Sequence, residues 1–278
     1  MALEQQTIPP GIFVARLLQR RHRLLRHWIT GGTGLSKLKK NAFDSLMRAL
    51  NSRYYDAACT SAEREQIKHI CMGNTSGVAW AKQYLAKGFP EPHTPLLPMF
   101  RVLEAWFASG QISSAHQVGC CSGRETAYFA RRFPAISFTG SDCDSGVISF
   151  LREHWAPVRN LQFVELHMEE NSHPGDSELL CDVIFASGGL HYMDPDALLS
   201  FLIRARRFSS RIALSQPMDR DFNATTMARS TPRGMLSWNH PYPKLLRAAG
   251  WTNIAWEEGY VPELPKWKNF AAWADALP

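Results

Sequence analysis

The sequence predicts an α/β sandwich over its last two-thirds, preceded by a helical accessory region. Three observations carry this. From about residue 93, short β-type runs alternate with helical stretches, the order that builds a largely parallel sheet covered by helices on both faces. Before that point the apolar spacing is helical only. Between the first strand and the helix after it lies a glycine-bearing turn, at the end of the strand where open α/β sheets bind ligands.

The bulk properties set the limits. The chain has 278 residues, enough for one large domain plus an accessory piece. A hydrophobic content of 45% excludes a disordered chain. No run approaches the ~20 consecutive apolar residues of a membrane-spanning helix, and the N-terminus lacks the apolar core of a secretory signal. Cys59, Cys71, Cys120, Cys121, Cys143 and Cys181 form no CxxC pair, so they read as free thiols in a reducing compartment, the cytoplasm. His22, His27, His69, His93, His154 and His173 share no metal-ligand spacing, and no metal is expected.

The formal net charge is +6, and its excess is concentrated near the start. Arg16, Arg20, Arg21, Arg23 and Arg26 follow one another without an acid between them, and Lys37, Lys39 and Lys40 come next. Pro9 and Pro10 can open a helix in which Phe13, Leu17, Leu24, Trp28 and Ile29 recur at helical spacing, ended by Gly31 and Gly32. Such a basic amphipathic helix either docks on its own protein or lies at an anionic membrane surface. An RNA or an acidic partner would also meet it, and an organelle transit segment is a further reading that Glu4 opposes. Helical spacing continues from Asn41 to about Leu85, and Gly88, Pro90 and Pro92 break it. The domains are therefore drawn at 1–92, a helical cap or assembly region able to support a homo-oligomer, and 93–278.

Beyond the break the elements follow in order. Residues 96–107 read as a helix, 115–119 as a strand, 124–133 as a helix, 136–141 as a strand and 147–155 as a helix. Strands are expected at 161–166, 182–187, 211–215 and 251–256, and helices at 194–208 and 243–249. Asp194 and Pro195 suit the start of the first of these helices, and Gly250 stops the second.

The turn after the first strand reads Gln117-Val118-Gly119-Cys120-Cys121-Ser122-Gly123, with a helix beginning at Arg124. A helix N-terminus offers free N–H groups, and glycine lets a ligand approach the backbone closely. Asp142 ends the next strand about 20 residues on, where an acid accepts hydrogen bonds from ribose hydroxyls. Its bland alternative is helix capping, which Asp144 or Ser145 could perform instead.

This ordered set resembles the class I S-adenosylmethionine-dependent methyltransferases. Residues 117–123 are similar to the family's first motif, an acid followed by G-x-G-x-G, and Asp142 to its ribose-binding acid. Residues 163–169 resemble the strand and loop that hold adenine, and residues 182–192 the fourth strand and the loop facing the methyl group. Leu245, Leu246, Ala249, Gly250 and Trp251 resemble the segment before the family's last antiparallel strands. The resemblance covers about two-thirds of the chain and implies a Rossmann-like, mostly parallel seven-stranded sheet with helices on both faces. It implies S-adenosyl-L-methionine as cofactor, bound around Gln117, Gly119, Cys120, Cys121, Gly123, Asp142, Cys143, His167, Met168 and Ser187. Three positions depart from the pattern: Gln117 lacks the usual charge, Cys121 replaces the middle glycine, and His167 stands where an adenine-binding Asp is common. A dinucleotide-binding turn fits less well, because Arg124 occupies the place of its third glycine.

Methyl transfer is an in-line displacement, and a hydroxyl acceptor gains from a general base. His191 is the candidate base, with Tyr192 beside it; His240, in the long segment 216–240, is a candidate base or substrate ligand. For each the bland reading is packing of its loop. The expected activity is methylation of a small-molecule or glycan-like acceptor. The alternatives are an RNA-directed methyltransferase that uses the basic arm, and a non-catalytic binding protein on the same fold.

Overall fold

The computed structural model describes residues 49–56, 59–60, 64, 67, 77–86, 97–168, 180–234, 236–260 and 266–276. The chain divides into two compact units, residues 1–76 with 234–236, and residues 77–233 with 237–278. The expected basic helix near the N-terminus lies outside the described residues. In the first unit residues 49–54 are helical and bury Leu50 and Tyr54. The Arg64 guanidinium donates to the Tyr54 carbonyl at 3.0 Å.

The second unit opens with helix α1 (Gly77–Ala86), so the division falls after residue 76 rather than at the glycine–proline break the sequence marks. The reason is packing. A Cβ on Gly77 would stand 2.2 Å from the Asp144 carboxylate, Val78 joins the apolar cluster of Val147 and Leu151, and Lys82 lies 5.3 Å over the Phe150 ring. Helix α2 (Leu97–Ala108) follows, then β1 (Ser114–Val118), α3 (Arg124–Arg132), β2 (Ser137–Asp142), α4 (Ser145–His154), β3 (Leu161–Glu165) and β4 (Cys181–Ser187). A short 3-10 turn at Leu190–Tyr192 leads into α5 (Pro195–Phe208) and β5 (Ser209–Asp219). The chain closes with β6 (Thr231–Gly234), β7 (Ser237–Asn239), α6 (Tyr242–Ala248), β8 (Thr252–Tyr260) and β9 (Trp267–Asp275).

Seven strands form one sheet in the order β3-β2-β1-β4-β5-β9-β8, and β6 and β7 pair separately. β1 to β5 run parallel, while β9 enters antiparallel between β5 and β8. This is the expected mostly parallel seven-stranded sheet. β4 shows why both faces must be covered: Val183 and Phe185 pack on one side with Leu103, Phe107 and Phe129, and Ile184 and Ala186 on the other with Leu198, Phe201 and Trp251. Trp251 is 2% exposed and donates its indole N–H to the Leu202 carbonyl at 3.1 Å, so the ring brings no unsatisfied donor into the core. Full burial of side chains of this kind contributes about 1.5–3 kcal/mol each.

Two elements differ from expectation. β5 runs on to Asp219, because β9 pairs with it residue by residue from Arg211↔Asp275 to Asp219↔Trp267. The segment expected as one long loop after Gln216 therefore holds the end of β5, then β6 and β7. Among the described residues no helix is long and apolar enough to cross a membrane. The sheet reverses direction of winding between β1 and β4, and the loops beyond their carboxyl ends meet there.

Candidate active site

The turn after β1 is built on left-handed backbone at Gly119 (φ 64°), Cys121 (φ 49°) and Gly123 (φ 64°). Glycine is needed at 123 for space as well as angle: a Cβ there would lie 2.7 Å from the Phe163 ring of β3. The same ring blocks a Cβ on Gly140 of β2, also at 2.7 Å. Phe163 thus wedges between the turn and the second strand. A Cβ on Gly119 would meet the Gly189 Cα at 3.5 Å and the Met168 Cε at 3.7 Å, so the turn after β1 and the loop after β4 face each other closely. Trp155 donates to the Ser122 carbonyl at 3.1 Å and ties the end of α4 to the turn.

Asp142 ends β2 facing this turn. Its Oδ2 accepts from the Cys121 N–H at 3.0 Å and its Oδ1 from the Asp144 N–H at 3.2 Å. Asp144, not Asp142, caps α4, accepting from Gly146 and Val147 at 2.9 and 3.1 Å. The Cys143 N–H also acts on the Asp142 carboxylate, and an ionised carboxylate has about four acceptor sites, so the backbone donors still leave capacity for a ligand hydroxyl. Burial pushes the Asp142 carboxyl pKa up, and the Asp144 and Cys121 N–H groups pull it back.

The other cofactor candidates divide by what their side chains do. Gln117 is buried and its amide oxygen accepts from the Thr126 hydroxyl, which pins α3 to β1. Cys120 turns into the cluster of Val147, Ile148, Leu151 and Phe163 and offers the site only its backbone. Cys121 stays a protonated thiol, its pKa pushed up to about 12 by burial and by the nearby Asp142 and Glu125. Cys143 is exposed. His167 lies 3.3 Å from Glu165, just past β3, while the Met168 carbonyl accepts from Arg204. Ser187 closes β4, paired with Ser215. The described cysteines, Cys59, Cys120, Cys121, Cys143 and Cys181, are free.

Beyond β4 the three catalytic candidates come together. The 3-10 turn holds His191 and Tyr192 with ring centroids 3.9 Å apart, His191 buried and Tyr192 37% exposed. β7 runs beside that turn and delivers His240, whose Nδ1 lies 2.8 Å from the Ser230 hydroxyl. Both imidazoles are held neutral, with pKa values lowered to about 3. For His191 the causes are burial and then the Arg233 charge; for His240 they are burial and then His191. Among the described residues His191 Nδ1, His240 Nε2 and the Tyr242 hydroxyl are buried with no partner in ordinary hydrogen-bond geometry, although Gln216 and Gly188 act on His191, and Met193 on His240, as weaker hydrogen-bond partners. The His240 and Tyr242 rings meet edge to face at 5.5 Å.

Sequence reasoning missed several neighbours. Tyr84 of α1 was assigned to the accessory region, yet Cys121, Arg124 and Glu125 all act on its hydroxyl electrostatically. Arg124 donates to the Tyr84 carbonyl at 3.1 Å, with its guanidinium 5.8 Å over the ring. Gln216 accepts from the His191 N–H at 3.3 Å. Arg233 and Tyr242 carried no motif. The one available signal was their closeness in sequence to His240.

The comparisons with known proteins bear on the fold around this site. Residues 116–210, from β1 to the start of β5, match the family model of a methyltransferase domain. The match marks residues 116–210 as a methyltransferase domain. Among solved structures, the CurJ carbon methyltransferase aligns with this domain and the rest of the chain at TM-score 0.54 and 14% identity, over 100% of this chain and 76% of its own. The N-methyltransferase NodS from Bradyrhizobium japonicum WM9, solved with S-adenosyl-L-homocysteine, aligns at TM-score 0.51 and 13% identity, over 73% of this chain and 100% of its own. At such identities these likenesses concern the fold of the methyltransferase domain. No protein of curated function matches the chain.

Proposed function

We propose that the protein transfers a methyl group from S-adenosyl-L-methionine to a small-molecule or glycan-like acceptor. The observation that carries the reading is the Asp142 carboxylate, held toward the left-handed turn by two backbone donors while Asp144 does the capping. In this reading Gly119, Cys121 and Gly123 shape the bed, Asp142 holds the ribose hydroxyls, and His167 and Met168 border adenine. When bound, the cofactor supplies an electrophilic methyl group. The chain's own task is alignment, from which most of the rate gain in such a displacement comes.

The acceptor side falls to the groups beyond β4. A histidine whose pKa is about 3 is a weak base, so His191 and His240 suit holding and orienting an acceptor better than removing its proton. Tyr192 stands over His191, and Tyr84 stacks with Trp80 at 5.8 Å, all three rings partly exposed. Flat exposed faces of this kind suit a sugar ring or an aromatic acceptor. The two fold neighbours are named for transfer to nitrogen and to carbon, so the fold leaves the acceptor atom open. Free cysteines fit a reducing compartment, and we place the protein in the cytoplasm, where its basic N-terminal arm would reach an anionic surface.

The test uses the full chain with methyl-labelled S-adenosylmethionine and a cell extract separated into small-molecule, RNA and protein fractions. The reading expects label in the small-molecule fraction, and none with Asp142→Ala. Label confined to RNA would favour the RNA-directed alternative, and label nowhere the non-catalytic one.

A further inference from the structure

Helix α3 has a second surface that the cofactor reading does not use. Arg124, Tyr128, Arg131 and Arg132 stand at i, i+4, i+7 and i+8, on one face of the helix, while Thr126, Ala127, Phe129 and Ala130 are buried. The arginine face lines an open cavity of about 540 Å³. Leu85 of α1 supplies another wall, and His154 and Trp155 at the end of α4 a third. All of them belong to the second unit. The described lining holds three arginines and no acid, and shares no residue with the candidate cofactor set.

The helix dipole explains part of this only. Cations are ordinary in the last turn of a helix, where Arg131 and Arg132 lie. They do not cap it, because the Asn160 amide donates to the Ala130 and Phe133 carbonyls at 2.9 and 3.3 Å. Arg124 is the first residue of α3, at the positive end, where the dipole disfavours a cation. It has Glu125 at 3.6 Å, and Arg132 has Glu104 at 3.2 Å. Arg131 differs from both. It is exposed and among the described residues has no carboxylate partner; its guanidinium lies 5.1 Å over the Trp155 ring. Trp155 is itself fixed, by its 3.1 Å bond to the Ser122 carbonyl and by the His154 ring edge-on at 4.7 Å.

We infer that this cavity binds a phosphate-bearing aromatic ligand of the nucleotide type, at a site distinct from the cofactor bed. Guanidinium groups present paired, planar donors that match phosphate oxygens. Trp155, His154 and Tyr128 offer rings against which a base stacks. The volume falls within the ~300–1,000 Å³ of small-ligand sites and exceeds what a bare anion fills. Leu85 and the end of α4 wall the cavity, whereas an RNA chain needs a charged groove that continues along its backbone. The inference goes beyond the methyltransferase reading and does not depend on it.

The test is calorimetry on the full-length protein saturated with S-adenosylhomocysteine, which fills the cofactor bed, using UMP, uridine and ribose phosphate. UMP binds, and each fragment binds at least about tenfold more weakly, uridine for want of the phosphate and ribose phosphate for want of the base. Arg131→Gln, a change at an exposed side chain, weakens UMP binding by at least about tenfold. Arg207→Gln leaves it unchanged, since α5 packs on the opposite face of the sheet from α3. No heat at millimolar UMP, a fragment that binds as tightly as UMP, or Arg131→Gln binding UMP as the wild type does overturns the inference. So does an oligouridylate that binds where UMP does not, which marks the face as an RNA surface. If S-adenosylhomocysteine gives no heat while UMP binds, the cofactor reading fails and this site stands.

Discussion

Gly140→Ala tests whether Phe163 is the wedge that sets the turn. Gly140 does not have a left-handed backbone, so an alanine there brings no torsional penalty and acts only through space. Its Cβ would lie 2.7 and 2.8 Å from two Phe163 ring atoms and 3.2 Å from the Cys120 sulfur. Carbon atoms in contact sit at about 3.5–4.0 Å, so the ring must retreat by about 1 Å. It has little room: Phe163 is 4% exposed and packed among Cys120, Val147, Ile148 and Leu151. Overpacking of this kind costs ~1–3 kcal/mol, and a rigid ring argues for the upper end. At this chain size that lowers Tm by about 5–10 °C. The sign is informative, because a glycine-to-alanine change at an unhindered site stabilises by ~0.4–1 kcal/mol. Urea denaturation of Gly140→Ala, Phe163→Leu and the double variant measures it. We expect the smaller side chain to rescue the alanine, with a coupling of about 1 kcal/mol or more. A Gly140→Ala protein as stable as the wild type, or strictly additive losses, would refute the wedge.

Two further outcomes follow from the same region. Cys121 holds a left-handed backbone, which costs a non-glycine residue ~1–2 kcal/mol. Cys121→Gly keeps the N–H that Asp142 accepts and should gain up to about 1 kcal/mol by thermal denaturation, whereas a loss would mean the side chain contributes packing that outweighs the strain. His191 and His240 have folded pKa values near 3, below the ordinary 6.5, so the folded state favours their neutral forms. The stability this gives is complete above about pH 6.5 and is lost as pH falls toward 3. Urea midpoints should fall between about pH 7.5 and pH 4.5, less steeply in His240→Gln, and parallel curves would show that His240 is not held neutral.

Much of the frame is visible in the sequence because its causes are local. β4 is a run of apolar residues that only a sheet covered on both faces can bury. Gly119 and Gly123 sit where the chain must turn left-handed, and Asp142 follows at the spacing of one helix and one strand. What stayed hidden depends on tertiary packing. α1 reads like the helices before it, and only its contacts with α4 assign it to the second unit. β9 is rich in alanine at Ala271, Ala272 and Ala274, so it shows no apolar alternation, and it gains its place from pairing with β5 and β8. Arg233 and Tyr242 belong to no motif, and β7 must lie beside the 3-10 turn before they and His191 share one cluster. Gln117 shows the reverse case. Its position in the motif suggested a ligand contact, and the fold gives its amide oxygen to Thr126.

The account rests on Asp142 and the turn it faces holding the nucleoside part of the cofactor. The direct measurement is a calorimetric titration of S-adenosylhomocysteine into the wild type and Asp142→Asn, with thermal denaturation to confirm that both are folded. The amide keeps one oxygen acceptor, so the variant loses at least one charge-assisted hydrogen bond to ribose, about 1.5–3 kcal/mol, and affinity should fall by at least about tenfold while the fold persists. A wild type that gives no heat at millimolar ligand, or a folded Asp142→Asn that binds as tightly as the wild type, would contradict it.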